Sequence, residues 1–402
     1  TCRDWSSDVC SSDLPLSVLP VILYSSIAKF TLLAIPFFIL AGFIMEKAGI
    51  SRRLISFANA LVGHLKGGLI IVMVLTSLFF AAISGSGPAT VAALGVILIP
   101  AMVKAGYHPA KSAALMAMSG GIGVIIPPSI TYVIYGVVAS QSIGKMFIAG
   151  IIPGIIIGVA LMIAGLVSER RGKFVRDEKK SFKEQWAAFK DAFWGLLTPI
   201  IILGGIYGGI FTPTEAAAVA CVYGLFVGVF IYKEFKLKEL IDTLIKASIS
   251  TAVVMLIISS ASIFAWVVTV EGITETISRG ILSVITDKTV FLILINVMLL
   301  IIGCLIDAVS ALYIITPILL PIAIRMGVDP IHFGIILCAN LSIGLSTPPV
   351  GANLFVACGI SNISLKKISI AIGPILIAAI IALLLITYIP EISLWLPKIF
   401  DI

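Results

Sequence analysis

Two apolar stretches of this chain are interrupted by residues suited to holding an ion. The first interruption is Ser84-Gly85-Ser86-Gly87-Pro88, and the second centres on Asp307. Two hydroxyls on a glycine-rich turn leave backbone carbonyls free and add acceptor oxygens. Hard cations such as sodium take oxygen ligands of this kind. The alternative for the first stretch is small residues that let helices pack closely. An ionisable group within an apolar span is costly, so Asp307 reads first as a cation ligand or a support for one. Its alternative is a cap on the helix that follows. Two further breaks accompany these stretches, Gly123-Val124-Ile125-Ile126-Pro127-Pro128-Ser129 and Gly344-Leu345-Ser346-Thr347-Pro348-Pro349-Val350. A Pro-Pro pair removes two donors and disfavours helix in the residue before it. At membrane depth, unpaired backbone is tolerated only where it is buried in protein or lines a polar cavity. Matched breaks therefore predict a binding site. Carbonyl ends of half-helices attract cations, and N–H ends attract carboxylates. Ser346 and Thr347 stand before the second Pro-Pro and Asn353 after it, where the first copy has Ser129 and Thr131.

Other candidate groups read as structural. Thr212, Pro213 and Glu215 form the pattern of a capping box at a helix start; a coupling role for Glu215 is the alternative. The three histidines, His64, His108 and His332, are scattered. No HExxH, nucleotide-binding glycine loop or Ser-His-Asp arrangement is present, so neither enzyme chemistry nor ATP drive is expected from this chain.

The elements that must position these groups are membrane helices. The 402 residues are 60% hydrophobic and 12% charged, with mean hydropathy +1.18. Those values imply an all-α polytopic membrane protein in a lipid bilayer. A net charge of +7 then points to basic loops on one face, with no nucleic-acid partner. Cys221, Cys304, Cys338 and Cys358 read as small buried side chains. Spans are expected near 31–46, 115–140, 146–167, 194–211, 213–232, 248–268, 331–359 and 367–389. The interrupted stretches 67–103 and 289–324 are each two crossings or one re-entrant hairpin.

An internal repeat decides between these. Residues 86–153 align on 307–374 without a gap, at an offset of 221. Pro100, Pro109, Pro127, Pro128 and Pro153 fall on Pro321, Pro330, Pro348, Pro349 and Pro374, and Asp307 falls on Ser86. If both interrupted stretches are re-entrant, an odd number of crossings separates the copies and the second is inverted. The topology then puts 20 of the 27 Lys and Arg on one side and seven on the other. The richer side reads as cytoplasmic, which leaves the C-terminus periplasmic. The expected organisation is a first repeat over 15–167, connecting segments over 168–246, and a second repeat over 247–402. Ser168 to Asp191 is expected as an amphipathic helix lying on the cytoplasmic face, with Ser51–Lys66 and Lys233–Lys246 similar. Residues 1–14 are polar, carry Cys2 and Cys10, and read as a joining artefact rather than a signal peptide or span. Inverted repeats with hairpins and broken helices are the architecture of secondary transporters.

These motifs resemble the large membrane subunit, or DctM-like permease, of the tripartite ATP-independent periplasmic (TRAP) transporters. The matching stretches are Leu33–Gly42, Ser84-Gly85-Ser86, Ile125–Ser129, Phe211–Ala217, Thr316–Pro321 and Gly344–Phe355. They keep their order from about Pro15 to the end. Family members usually have another span ahead of this region, where residues 1–14 stand here. The resemblance implies a sodium-coupled importer of the elevator type in the bacterial inner membrane, with sodium as coupling ion and no other cofactor. A DctP-like periplasmic binding protein would deliver an organic acid, such as a C4-dicarboxylate or sialic acid, and a DctQ-like small membrane subunit would pair with the chain. It also implies a first sodium site at Ser84, Gly85 and Ser86 with backbone around Gly121, Val124 and Pro127. A second would use Asp307 with Gly344, Ser346 and Thr347, and the substrate carboxylate would lie near Ser129, Val350, Gly351 and Asn353. Two competing expectations are a stand-alone sodium–dicarboxylate symporter and a channel or structural membrane protein.

Overall fold

The computed structural model describes residues 17–400 except Arg171, Lys173, Arg176 and Thr286. The segment 1–14 lies outside the described residues. All regular structure among the described residues is helical. After α1 (Val18–Ile27), a 3-10 turn leads into α2 (Ala34–Lys47). The amphipathic α3 (Ile50–Val62) buries Ile50, Leu54 and Ala58. Two arms follow, α4 (Gly68–Ser84) and α5 (Gly87–Lys104). Next, α6 (Pro109–Gly121) tightens into a 3-10 turn at Ile122–Val124, and the chain restarts as α7 (Ile130–Val138) and returns as α8 (Ile143–Ser168). Two connecting helices, α9 (Phe182–Tyr207) and α10 (Pro213–Phe226), lead to the second copy. That copy comprises α11 (Leu240–Val270), α12 (Ile273–Val284), α13 (Lys288–Leu305), α14 (Ala308–Arg325), α15 (Pro330–Gly344), α16 (Ala352–Ser361), α17 (Leu365–Ala371) and α18 (Gly373–Tyr388); α19 (Glu391–Ile399) closes the chain. Eight helices among the described residues are long and apolar enough to cross a membrane, and the chain is a multi-pass membrane protein.

The repeat extends further in structure than in sequence. At the same offset of 221, α5 falls on α14 end for end and α3 falls on α12. Both interrupted stretches are hairpins. Ile70, near the start of α4, and Met102, near the end of α5, line one small cavity with Lys111 and Ser168. In the second copy Lys288 Nζ donates to Gly327 O at 2.8 Å, which joins the start of α13 to the end of α14.

The two copies are inverted. In the first, α6 leaves the hairpin base, α7 ends against Ile143 at Gly136, and α8 brings the chain back to the base at Ser168. The 26 residues of α8 span about 39 Å. The base of the first copy, His108–Lys111, lies beside Asn362–Ser364 at the far end of the second. The base of the second copy lies at the far end of the first, where Tyr135 Oη donates to Pro330 O at 2.5 Å. Contacts also exchange between the copies: α5 packs on α16, and its mate α14 packs on α7. A two-fold relation produces that reciprocity.

Three expectations need correction. Ser168 to Asp191 is not one surface helix. Its described residues between Glu169 and Ser181 have no regular helix, and from Phe182 it belongs to the continuous helix α9. The local reason is a capping box in which Ser181 and Glu184 satisfy each other's backbone N–H groups, so the helix starts there. Lys233–Lys246 likewise forms no separate surface segment, because α11 begins at Leu240 and runs 31 residues across the boundary drawn at 246. The span at 367–389 is two helices, α17 and α18. Helices α1, α12 and α19 had no counterpart in the sequence reading; α12 and α19 are short amphipathic elements without a span-length apolar run.

Three side chains tie the arm α3 down: Arg52 pairs with Glu234, Asn59 Nδ2 donates to Asp177 Oδ2 at 2.6 Å, and Arg53 makes the most contacts. Arg53 Nε pairs with Asp191 of α9 at 3.1 Å, its Nη2 pairs with Glu234 at 2.8 Å, and its guanidinium lies 3.7 Å from the Tyr232 ring centroid.

Candidate functional site

The first hairpin turns at Gly85, whose φ of +61° suits a residue without Cβ. Ser86 follows in extended conformation, and its carbonyl accepts from Thr90 N at 3.1 Å and Thr90 Oγ1 at 2.8 Å. Ser84 Oγ lies 2.8 Å from Thr90 Oγ1, so three oxygens cluster at the tip. The 3-10 end of α6 packs directly on this cluster. A Cβ on Gly123 would sit 2.7 Å from Thr90 Oγ1 and 2.8 Å from Ser86 O. Past the first break, Ser129 Oγ and Thr131 Oγ1 both donate back to Val124 O, at 2.5 and 3.0 Å. Both Pro-Pro bonds, Pro127–Pro128 and Pro348–Pro349, are cis.

The second tip is built differently. Asp307 caps α14: its Oδ2 accepts from Val309 N at 2.9 Å and Ser310 N at 3.0 Å, and its Oδ1 accepts from Ser310 Oγ at 2.5 Å. A carboxylate offers about four lone-pair positions, so one of them stays open to a cation. At the second break Thr347 Oγ1 donates to Ile343 O at 2.8 Å. Gly344 packs on Gly303, where a Cβ would come within 2.6 Å of backbone. Gly351, at φ +54°, donates its N–H to Cys304 O at 3.1 Å.

Between the tips lies a cavity of about 170 Å³. Its wall includes Gly87, Ile130, Ala308 and Ala352, the first residues of α5, α7, α14 and α16. Four helix N-termini thus converge on one small volume. Each helix start carries about half a positive charge; of the N–H groups there, Ile130 N donates to Gly85 O at 3.5 Å and Asn353 N to Leu345 O at 2.9 Å. The end of α14 is capped by Asp307, whereas Ser86, Ser129 and Gly351 make no side-chain cap on the other three. The same wall contains Gly85, Val124 and Leu345, each at a carbonyl-rich helix end. Asp307 is the one ionisable side chain on this wall among the described residues. The arrangement suits a small anion at the N–H ends with cations at the carbonyl ends. No cluster of three or more His, Cys, Asp or Glu that could hold a metal ion occurs among the described residues.

A second cavity, also about 170 Å³, lies on the other side of Ser86. Ile39, Gly42, Phe43 and Glu46 of α2 face Ser84 across it, and Ser250 and Val254 of α11 close it. A larger hollow, about 930 Å³, lies at the base of the first copy among His108, Lys111, Ser364 and Lys367. It meets neither tip nor break.

Of the residues singled out in the sequence, Gly85, Ser86, Val124 and Asp307 meet on the central wall, and Ser84 faces the adjoining cavity. Gly121, Gly344, Ser346, Thr347 and buried Pro127 are not among the residues that line the central cavity. Ser129 and Asn353 are buried and do not line it. Ser129 bonds Val124 O, and Asn353 Nδ2 bonds Ala117 O at 3.1 Å. Val350 is exposed, and Gly351 is engaged by Cys304. Sequence reasoning missed Thr90. Its signal was a hydroxyl four residues after Ser86, the spacing at which a side chain bonds back to a helix carbonyl.

The family model for the DctM component of tripartite ATP-independent periplasmic transporters matches residues 8–392. The chain is 46% identical over 388 residues to the isethionate TRAP transporter permease protein DctMQ of Oleidesulfovibrio alaskensis, covering 96% of this chain and 61% of that protein. It therefore spans less than two thirds of that relative. The C4-dicarboxylate TRAP transporter large permease of Pseudomonas aeruginosa is 45% identical over 94% of this chain and 89% of its own length. The sialic acid TRAP transporter large permease of Vibrio cholerae is 40% identical over 93% of this chain and 88% of its own. The crystal structure of the Alcanivorax borkumensis YdaH transporter shares the fold, with TM-score 0.66 at 16% identity over 94% of this chain and 89% of that one.

Proposed function

The chain belongs to the DctM component family of the tripartite ATP-independent periplasmic transporters, and on that premise we propose that it imports an organic acid driven by sodium. The observation that carries this reading is the convergence of four helix N-termini on a cavity between two hairpin tips. An anion bound there is stabilised by the N–H ends. Sodium ions at Ser84–Ser86 and beside Asp307 are held by the carbonyl ends, and they neutralise cargo that would otherwise cross hydrocarbon charged. The relatives' names make isethionate, a C4-dicarboxylate and a sialic acid the first substrates to test.

The transport step is an elevator movement of the hairpins and broken helices past a frame of α2, α9, α10 and α11. Support comes from asymmetry at this interface. Helix α2 packs on α4, the first arm of one hairpin, but its mate α11 packs on α14, the second arm of the other. The first Pro-Pro pair is buried, and Pro349-Val350 is exposed. A core sitting off centre within a two-fold frame has this look, and the opposite displacement is its mirror state. The proposed setting is the bacterial inner membrane with the C-terminus periplasmic, a small DctQ-like subunit against the frame and a DctP-like binding protein delivering the acid. The fused relative, whose name joins M and Q components, supports the small-subunit pairing.

Uptake in proteoliposomes tests this reading. The chain is reconstituted with its small subunit, an inward sodium gradient and each candidate acid, with or without the cognate binding protein. Uptake that needs both sodium and the binding protein is the expected result. Sodium-driven uptake without the binding protein identifies a stand-alone symporter instead, and uptake indifferent to sodium overturns the coupling.

A further inference from the structure

We propose that the Ser342 hydroxyl is a positioning group that couples the two candidate cation sites; the inference rests on the sodium-coupled reading above. Ser342 Oγ donates to Gly121 O at 2.6 Å. These two residues are separated by 221 positions, the offset of the repeat. A residue bonded to its own repeat mate lies at the pseudo-two-fold axis, where the broken helices α6 and α15 cross. Gly121 is the last residue of α6, three before Val124 on the wall of the first site. Ser342 stands two before Gly344, where α15 ends and the second break begins. One hydrogen bond therefore joins the helix ends that shape the two sites.

The bond belongs to a one-directional brace. Ser346 Oγ donates to Ala117 O at 2.8 Å, and Asn353 Nδ2 donates to the same carbonyl at 3.1 Å and to Ser346 Oγ at 3.1 Å. At the mate positions of Ser346 and Asn353 the first copy has Ile125 and Tyr132, and at that of Ser342 it has Gly121, which supplies no side-chain donor. Side chains of the second copy thus grip carbonyls of the first. There is no room for anything else at the crossing: a Cβ on Gly121 would lie 3.0 Å from both Ser342 O and Ser342 Oγ. Asn353 Oδ1 is buried without a partner, and a Cβ on Gly87 would lie 3.0 Å from it, so the brace also touches the first tip. When a cation orders the end of α15, Ser342 fixes the end of α6, and the first site is formed before its own ion arrives. Coupling of this kind is reciprocal.

Equilibrium binding of radioactive sodium to the purified permease with its small subunit tests the idea, with sodium chloride alone as the probe. The wild type binds sodium cooperatively. Ser342→Ala loses the cooperativity, its Hill coefficient falling toward one, and its half-saturating sodium rises about fivefold or more. Ser342→Cys, which keeps the volume with a weaker donor, falls between. It decides the question if the alanine variant does not fold. Ser112→Ala removes a hydroxyl that bonds only His108 O within α6 and leaves the curve unchanged. A Ser342 variant with the wild-type curve overturns the coupling and leaves sodium transport standing, as does non-cooperative binding by the wild type. A wild type that binds no sodium overturns the transport reading together with it.

Discussion

At the scale of single residues, the account turns on groups that bear on the hairpin tips. Gly123 is held as glycine by the Thr90–Ser86 cluster. A methyl group there has to displace oxygens 2.7 and 2.8 Å away, at a cost of about 1–3 kcal/mol. Gly123→Ala is expected to lower uptake about tenfold while the protein still assembles, as checked by gel filtration and proteoliposome uptake. Asp307 has two roles that substitution separates. Asn is also a good N-cap, so Asp307→Asn keeps α14 started but removes the charge. It is expected to raise half-saturating sodium about tenfold, equivalent to about 1.4 kcal/mol, with little change in thermal stability. An unchanged sodium curve would leave Asp307 as a cap alone. Sequence alone exposed the tips because Ser-Gly-Ser and an intramembrane aspartate are unusual in hydrocarbon. It did not expose Ser342, an ordinary serine in an apolar helix whose meaning depends on what crosses it. For the same reason it offered Ser129 and Asn353 as wall residues: a polar side chain beside a break can equally bond a neighbouring backbone carbonyl, as both do here.

At the scale of elements, the helix starts were legible and the surface arms were not. Thr212 and Glu215 form the expected capping box, with Thr212 N donating to Glu215 Oε2 at 2.8 Å. Glu215→Gln is therefore expected to cost about 1 kcal/mol or less of stability and to leave the sodium dependence of uptake unchanged. A shift in sodium affinity would give Glu215 the coupling role instead. The spacing Ser181 to Glu184 carried the same signal but lay within a basic, aromatic stretch, whose amphipathic look masked a helix that continues into the bilayer. Composition averages over such a stretch, whereas one cap fixes where its helix begins. The hairpins were ambiguous by length, since arms of 17 and 18 residues nearly match a span. The gapless repeat resolved them, because an inverted second copy reconciles the charge asymmetry only if both stretches return to the side they entered.

At the scale of the whole molecule, the proposed elevator has a two-fold core sitting unevenly in its frame. Movement of that core is required for uptake in the proposed elevator. Ile39 on α2 and Phe80 on α4 line the same gap between frame and hairpin. With Cys2, Cys10, Cys221, Cys304, Cys338 and Cys358 replaced, cysteines at 39 and 80 joined by a thiol-specific cross-linker are expected to stop uptake, and reduction of a cleavable linker to restore it. Cross-linked protein that still transports would contradict sliding at this interface. The central claim is that acid and sodium share the cavity between the tips. The most direct measurement is the affinity of the purified permease complex for each candidate acid across a sodium titration, paired with its affinity for sodium across an acid titration. Linkage requires the two factors to be equal. The account predicts that sodium tightens binding of one acid, that this acid tightens sodium by the same factor, and that Asp307→Asn diminishes both. Acid binding that is measurable and independent of sodium would contradict it.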